Sequence, residues 1–150
     1  MADDEPSGDA AGGTPVEGHV PGHLLTLLGM RRIDDPDFGP SLEMALRDEV
    51  TNPHGSLHGG LMGVLIECGA AGIAVDAIGS QNIVATDMVI RFLTTVRVGP
   101  ARVVGRPLRV GRRGAVVAVE VIDLGADRRV VAAATLEYAR LDAPPAAVET

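Results

Sequence analysis

The sequence predicts an α+β domain in which an antiparallel β-sheet wraps around one long central helix. Three observations carry that expectation. A proline-free, small-residue run from Gly59 to Asp76 places Leu61, Leu65, Cys68 and Gly72 at helical spacing. Behind it come four strand-like segments separated by turns rich in Gly, Pro, Asp and Arg. Ahead of it, Leu42, Met44, Leu46, Asp48 and Val50 alternate with Ser41, Glu43, Ala45, Arg47 and Glu49, the period of two of a strand with one buried face. The order is helix, strand, long helix, then four strands that can pair consecutively as an antiparallel meander.

Taken in order, residues 1–18 are rich in Gly, Ala, Pro and acids and read as a disordered acidic tail. Leu24, Leu25, Leu27 and Leu28 predict a short amphipathic helix within Val20 to Met30, with Pro21 in its first turn and Gly29 near its end. Arg31 to Pro40 reads as a turn-rich connection, and Asn52 to His58 as loop, because Pro53 and Gly55 break regular structure. After the central helix and a break at Gly79 to Asn82, the strand from Ile83 to Leu93 puts Val84, Thr86, Met88, Ile90 and Phe92 on one face. Asp87 and Arg91 take the other. Gly99 and Pro100 turn into a strand from Arg102 to Val110, where Pro107 requires an edge or a bulge. Arg112, Arg113 and Gly114 turn again, Gly125 to Asp127 form a hairpin turn, and Ala115 to Ile122 and Arg129 to Tyr138 are the last strands. Residues 19–141 then make one domain, and residues 142–150 a frayed tail.

The central helix is poor in bulk. Gly63, Gly69 and Gly72 each cost about 1 kcal/mol relative to alanine, a loss that close backbone approach on several sides would recover. Glu67 stands among Val64, Leu65, Ile66, Cys68, Ala70 and Ala71, with no cation three or four residues away. Such surroundings raise a carboxyl pKa toward the range of a general base; the other reading has Glu67 facing water or pairing with a distant arginine. If Gly59 and Gly60 open the helix, their N–H groups lack intrahelical acceptors and suit a developing oxyanion.

Composition excludes several classes. All 13 basic residues are arginine, so lysine Schiff-base chemistry and the lysine of a phosphate-binding P-loop are absent. The net charge is −7, five negatives of which lie before Arg31; the balance argues against nucleic-acid or anionic-membrane partners. One cysteine, Cys68, forms no intrachain disulfide, reads as a small core residue and fits a reducing cytoplasm. The acidic start lacks the positive region of a secretory signal, and Glu67, Asp76 and glycine interrupt the most apolar long stretch. His19 with His23, and His54 with His58, have the i,i+4 spacing of some metal ligands, but Pro21 and Gly55 intervene and no third ligand is near; no metal site is expected. No Gly-x-Ser-x-Gly elbow supports a serine triad.

The series Asn52, Gly55, His58, Gly59, Gly60 and Glu67 resembles the hotdog-fold acyl-CoA thioesterases of the PaaI-like, phenylacetate-pathway type. Thr86, Asp87, Met88, Ile90, Arg91, Phe92 and Gly99-Pro100 fit the same family's following strand and turn, so the resemblance spans about Gly39 to Leu141. It implies a hotdog fold and hydrolysis of an acyl-CoA thioester, with CoA as part of the substrate and no cofactor required. It also implies that Gly59 gives the oxyanion-hole N–H, with Gly60 in support, that Asn52 contacts the thioester or the attacking water, and that Glu67 is the catalytic carboxylate. His58 supports the loop or contacts the thioester. Many relatives carry a hydroxyl where this chain has Ala71 and Ala85, and many use Asp where it has Glu67.

Gly59 and Glu67 lie eight residues apart, about 12 Å along one helix, too far for one carbonyl to meet both. A homodimer, or a dimer of dimers, would bring Gly59 of one subunit to Glu67 of another, and the family is known for sites at dimer interfaces. Arg91, Arg112 and Arg113 are candidates for the CoA phosphates. Glu67 acts as general base or as nucleophile; the sequence leaves both open. An alternative function is a non-catalytic hotdog module that binds acyl-CoA as sensor or carrier. A hydratase or dehydratase is a third, although its histidine and acid pattern is not evident. Two phenylalanines argue weakly against an aromatic-lined pocket, and aryl groups also pack on aliphatic walls.

Overall fold

The computed structural model describes residues 13–16 and 20–141. In chain order it contains β1 (Thr14–Pro15), α1 (Leu24–Leu27), β2 (Met30–Asp35), β3 (Gly39–Met44), a 3-10 turn (Asp48–Val50), α2 (Gly59–Ile78), β4 (Ile83–Phe92), β5 (Ala101–Gly111), β6 (Gly114–Asp123) and β7 (Arg129–Arg140). His19, the tail before Gly13 and the tail after Leu141 lie outside the described residues. Thr14 and Pro15, within the segment read as tail, pair with Arg32 and Arg31.

All strands join one antiparallel sheet in the order β1-β2-β3-β5-β6-β7-β4, with α2 packed across it. This is the hotdog arrangement, an antiparallel sheet around one long helix. It corrects the consecutive meander: of the four strands after α2, β5, β6 and β7 follow one another, whereas β4 pairs with β7 at the far edge. The crossing from β4 to β5 has its own anchor. The buried Asp123 carboxylate accepts N–H bonds from Arg97 (2.9 Å), Val98 (3.2 Å) and Gly99 (2.7 Å), so three successive N–H groups of the linking loop are satisfied.

Two further corrections concern the N-terminal third. The turn-rich connection is largely strand: Met30–Asp35 pairs residue by residue with Gly39–Met44. The strand drawn from Leu42 to Val50 stops at Met44, and Asp48–Val50 form a 3-10 turn. The reason is a contact between distant residues. Arg102 of β5 donates to Glu43 Oε2 (2.7 and 3.0 Å) and Asp35 Oδ2 (2.6 Å), which lets both carboxylates be buried and Asp35 sit in a strand whose sequence looks like turn. The predicted Val20 to Met30 helix shrinks to the single turn of α1, capped by His23 Nδ1.

α2 matches its predicted start. His58 caps it by accepting Gly60 N–H (3.0 Å), and Gly79, at φ 71°, ends it. Its fully buried residues are Met62, Leu65, Ile66, Ala70 and Ala74, so the buried stripe is rotated from the one predicted and Gly72 is exposed. Close approach occurs at Gly69, where a Cβ would lie 2.7 Å from Val103 Cγ1, while at Gly72 it would meet nothing. The helix is thus enclosed on one side only in the single chain. By length and composition α2 could cross a bilayer, but its apolar stripe is packed on the sheet.

β4 also departs from the expected pattern. A bulge between Ala85 and Asp87 shifts the register, so Ala85 pairs with the buried Tyr138, and Val84 leaves the face shared by Met88, Ile90 and Phe92. The bulge expected at Pro107 is present.

Candidate active site

The loop before α2 is built by Asn52. Its Oδ1 accepts the N–H groups of His54 (2.9 Å) and Ser56 (3.3 Å), and its amide nitrogen donates to Ser56 Oγ (3.0 Å). The loop is tied to the body of the protein where His58 N–H reaches Val50 O (2.9 Å) and Leu57 N–H reaches Val96 O (3.0 Å). The helix start is thereby fixed to both sheet and loop. One amide hydrogen of Asn52 is left for a ligand.

At the helix start the two glycines differ. The Gly60 N–H is taken by His58 Nδ1, whereas the Gly59 N–H has no acceptor among the described residues. Gly59 is therefore a free donor at the positive end of α2. The ring of Phe92 borders it: a Cβ on Gly59 would lie 3.8 Å from Cε1.

Two turns along, Glu67 is half-buried and makes no ion pair among the described residues. Cys68 Sγ donates weakly to Glu67 Oε2 at 3.7 Å. Burial, then the adjacent Glu67 charge, pushes the Cys68 thiol up to about 11, which keeps it protonated and unreactive near neutral pH. Tyr138 Oη donates to the backbone oxygen of Glu67 at 3.0 Å, locking β7 to the helix at the carboxylate's own residue; burial raises the Tyr138 pKa, with Glu67 adding to it. Tyr138 had no local signal in the sequence beyond being the only tyrosine.

The remaining candidates lie elsewhere. Arg112 and Arg113 border a cavity of about 450 Å³ at the β5–β6 turn, together with Arg109, which sequence reasoning missed. None of the three has an ion-pair partner among the described residues. Arg91 lines a separate cavity of about 670 Å³ with Arg106, Phe38 and Glu120; its neighbour Ile90 packs toward α2, so Arg91 points from the opposite face of the sheet. Thr86, the residue inserted at the β4 bulge, uses its hydroxyl on Glu137 O (3.2 Å). His54 is exposed in the loop.

Comparisons with known proteins converge on one family. The model of the thioesterase superfamily matches residues 54–129, just over half of the chain and including His58, Gly59 and Glu67. A mutant thioesterase from Pseudomonas aeruginosa is similar at 25% identity and a TM-score of 0.64, over 75% of this chain and 81% of that one. A thioesterase from Haemophilus influenzae is similar at 19% identity and a TM-score of 0.66, over 76% and 79%. The PaaI protein from the phenylacetic acid degradation operon of E. coli is similar at 24% identity and a TM-score of 0.64, over 79% and 83%. No curated protein sequence matches the chain. With the family model spanning the helix that carries both chemical groups, the chain belongs to the thioesterase superfamily.

Proposed function

We propose that the protein hydrolyses an acyl-CoA thioester to a carboxylic acid and free coenzyme A. The observation that carries this reading is the pairing, on one helix, of an uncommitted N–H donor at Gly59 with a half-buried, cation-free carboxylate at Glu67. In the reaction, Glu67 takes a proton from water as the water oxygen attacks the thioester carbon. The resulting oxyanion accepts the Gly59 N–H, the C–S bond breaks, and the departing thiolate regains a proton from Glu67. Direct attack by Glu67 to give an anhydride is the variant of the same chemistry.

Because the two groups stand about 12 Å apart along α2, the working unit is a homodimer with Gly59 and Glu67 contributed by different subunits. β4 supports this: it ends the sheet with an unpaired edge and exposes Met88, Val89 and Phe92. Arg109, Arg112 and Arg113, which share their cavity with Glu137 but make no ion pair among the described residues, form a concave basic patch suited to CoA phosphates on a chain of net charge −7. Asn52 and His58 shape the loop that presents the donor, and Asn52 has one hydrogen to offer the thioester or the water.

A second reading, a non-catalytic acyl-CoA sensor or carrier, draws on Thr86, whose hydroxyl is engaged by Glu137 and so is not offered to a water. Release of free coenzyme A from short, medium, long and aryl acyl-CoAs separates the two. Hydrolysis by the wild type, reduced at least about a hundredfold in Glu67→Ala with the dimer intact, is the expected result. Saturable binding of an acyl-CoA with no turnover by the wild type favours the sensor.

A further inference from the structure

Beside the site, β4 and α2 run in step. Phe92, Ile90 and Met88 pair across the ladder with Ala132, Ala134 and Leu136, all buried under α2, so the three share the helix-facing side of β4. Phe92 borders Gly59, and Ile90 Cδ1 lies 3.7 Å from where a Cβ on Gly63 would stand. One four-residue step on a helix advances about 6 Å, and one two-residue step on a strand advances nearly the same. Continued by one such step, the series runs from Gly63 and Ile90 toward Glu67 and Met88.

The middle pair is packed and the outer two are open. Ile90 leans on the core, whereas Phe92 is 56% and Met88 43% exposed. One large apolar side chain is therefore left uncovered beside the N–H donor, and another one step further along the strand, in the direction of the carboxylate. The chain has two phenylalanines and five methionines in all, so large soft side chains at these two places are a sparing use of scarce residues.

Resting on the thioesterase reading, we infer that Phe92 and Met88 select the acyl group. In the composite site, Phe92 from the subunit that supplies Gly59 and Met88 from the subunit that supplies Glu67 form opposing apolar walls against the acyl chain. The ring gives a flat rigid contact and the thioether a deformable one. An acetyl group has little apolar surface to bury against these walls, whereas larger apolar acyl groups gain contact from both.

The test is the kcat/KM profile of the dimeric protein over acetyl-CoA and a series of larger acyl-CoAs, for wild type, Phe92→Ala, Phe92→Leu and Met88→Ala. Val84→Ala, on the other face of β4, serves as control. For the larger acyl-CoA that the wild type prefers, Phe92→Ala and Met88→Ala are expected to lower kcat/KM about tenfold or more, while acetyl-CoA stays within about threefold. Phe92→Leu keeps part of the contact and falls between. Losses equal for all acyl-CoAs, or a Val84→Ala profile as altered as the others, overturn the assignment while leaving the thioesterase reading intact. Absence of turnover by the wild type on every acyl-CoA overturns both.

Discussion

At Asp123 a single buried carboxylate holds three successive N–H groups of the loop between β4 and β5. Burial alone would raise its pKa, but the donors from Arg97, Gly99 and Val98 outweigh that and hold it below the ordinary value of 3.8. A carboxylate easier to ionise in the folded chain stabilises above its unfolded pKa, and that stability is lost as the pH falls through the folded value. Urea-denaturation midpoints are expected to fall steeply below about pH 4, with Asp123→Asn less stable at neutral pH and flatter in acid. Gly69 makes a second residue-scale prediction. An alanine Cβ there would stand 2.7 Å from Val103 Cγ1, so Gly69→Ala should destabilise by about 1–3 kcal/mol in equilibrium unfolding, against the usual gain from replacing a helical glycine. That the Gly59 N–H would lack an intrahelical acceptor and that Glu67 would have no cation three or four residues away were legible in the sequence, since each depends on near neighbours; that no distant arginine reaches Glu67 was not. That His58 would occupy the Gly60 N–H was not, because the capping geometry depends on the backbone of His58 itself.

Among elements, α2 was readable almost to the residue because its signals are local: loop-forming Pro53 and Gly55 before it, a proline-free apolar run, and Gly79 after it. β2 was not. Met30 to Asp35 carries four charged residues in six, and it is strand because Arg102, about seventy residues away in sequence, neutralises Asp35 and Glu43. The position of β4 failed for the same kind of reason, since its pairing with β7 rests on a loop anchored by Asp123. Removing Arg102 leaves the buried Glu43 without its ion-pair partner and Asp35 with only the more exposed Arg128 at 3.7 Å. Arg102→Met is expected to cost about 3–5 kcal/mol in equilibrium unfolding, whereas Arg47→Met, in an exposed pair with Glu49, should cost under about 1 kcal/mol of ion-pair energy.

For the whole molecule, three features point to one surface. α2 is enclosed on one side only, β4 leaves an unpaired edge, and the two chemical groups are too far apart to act on one carbonyl within a subunit. A charge placed on that edge should separate the subunits. Val89→Glu, at an exposed position of β4, is expected to shift the protein toward monomer by light scattering and to lower hydrolysis in proportion. A partner is an expectation that the spacing of Gly59 and Glu67 already raises, whereas the edge proposed to meet it could be named only once the sheet order placed β4 there.

Subunit complementation tests the central claim most directly. Gly59→Leu removes access to the donor and Glu67→Ala removes the carboxylate, so each homodimer should be inactive. After the two are unfolded, mixed in equal amounts and refolded, random pairing creates dimers in which one site holds both an intact Gly59 and an intact Glu67. Recovery of hydrolysis to about one quarter of wild-type sites is the predicted result. A mixture that forms dimers and stays as inactive as its two parents contradicts the account.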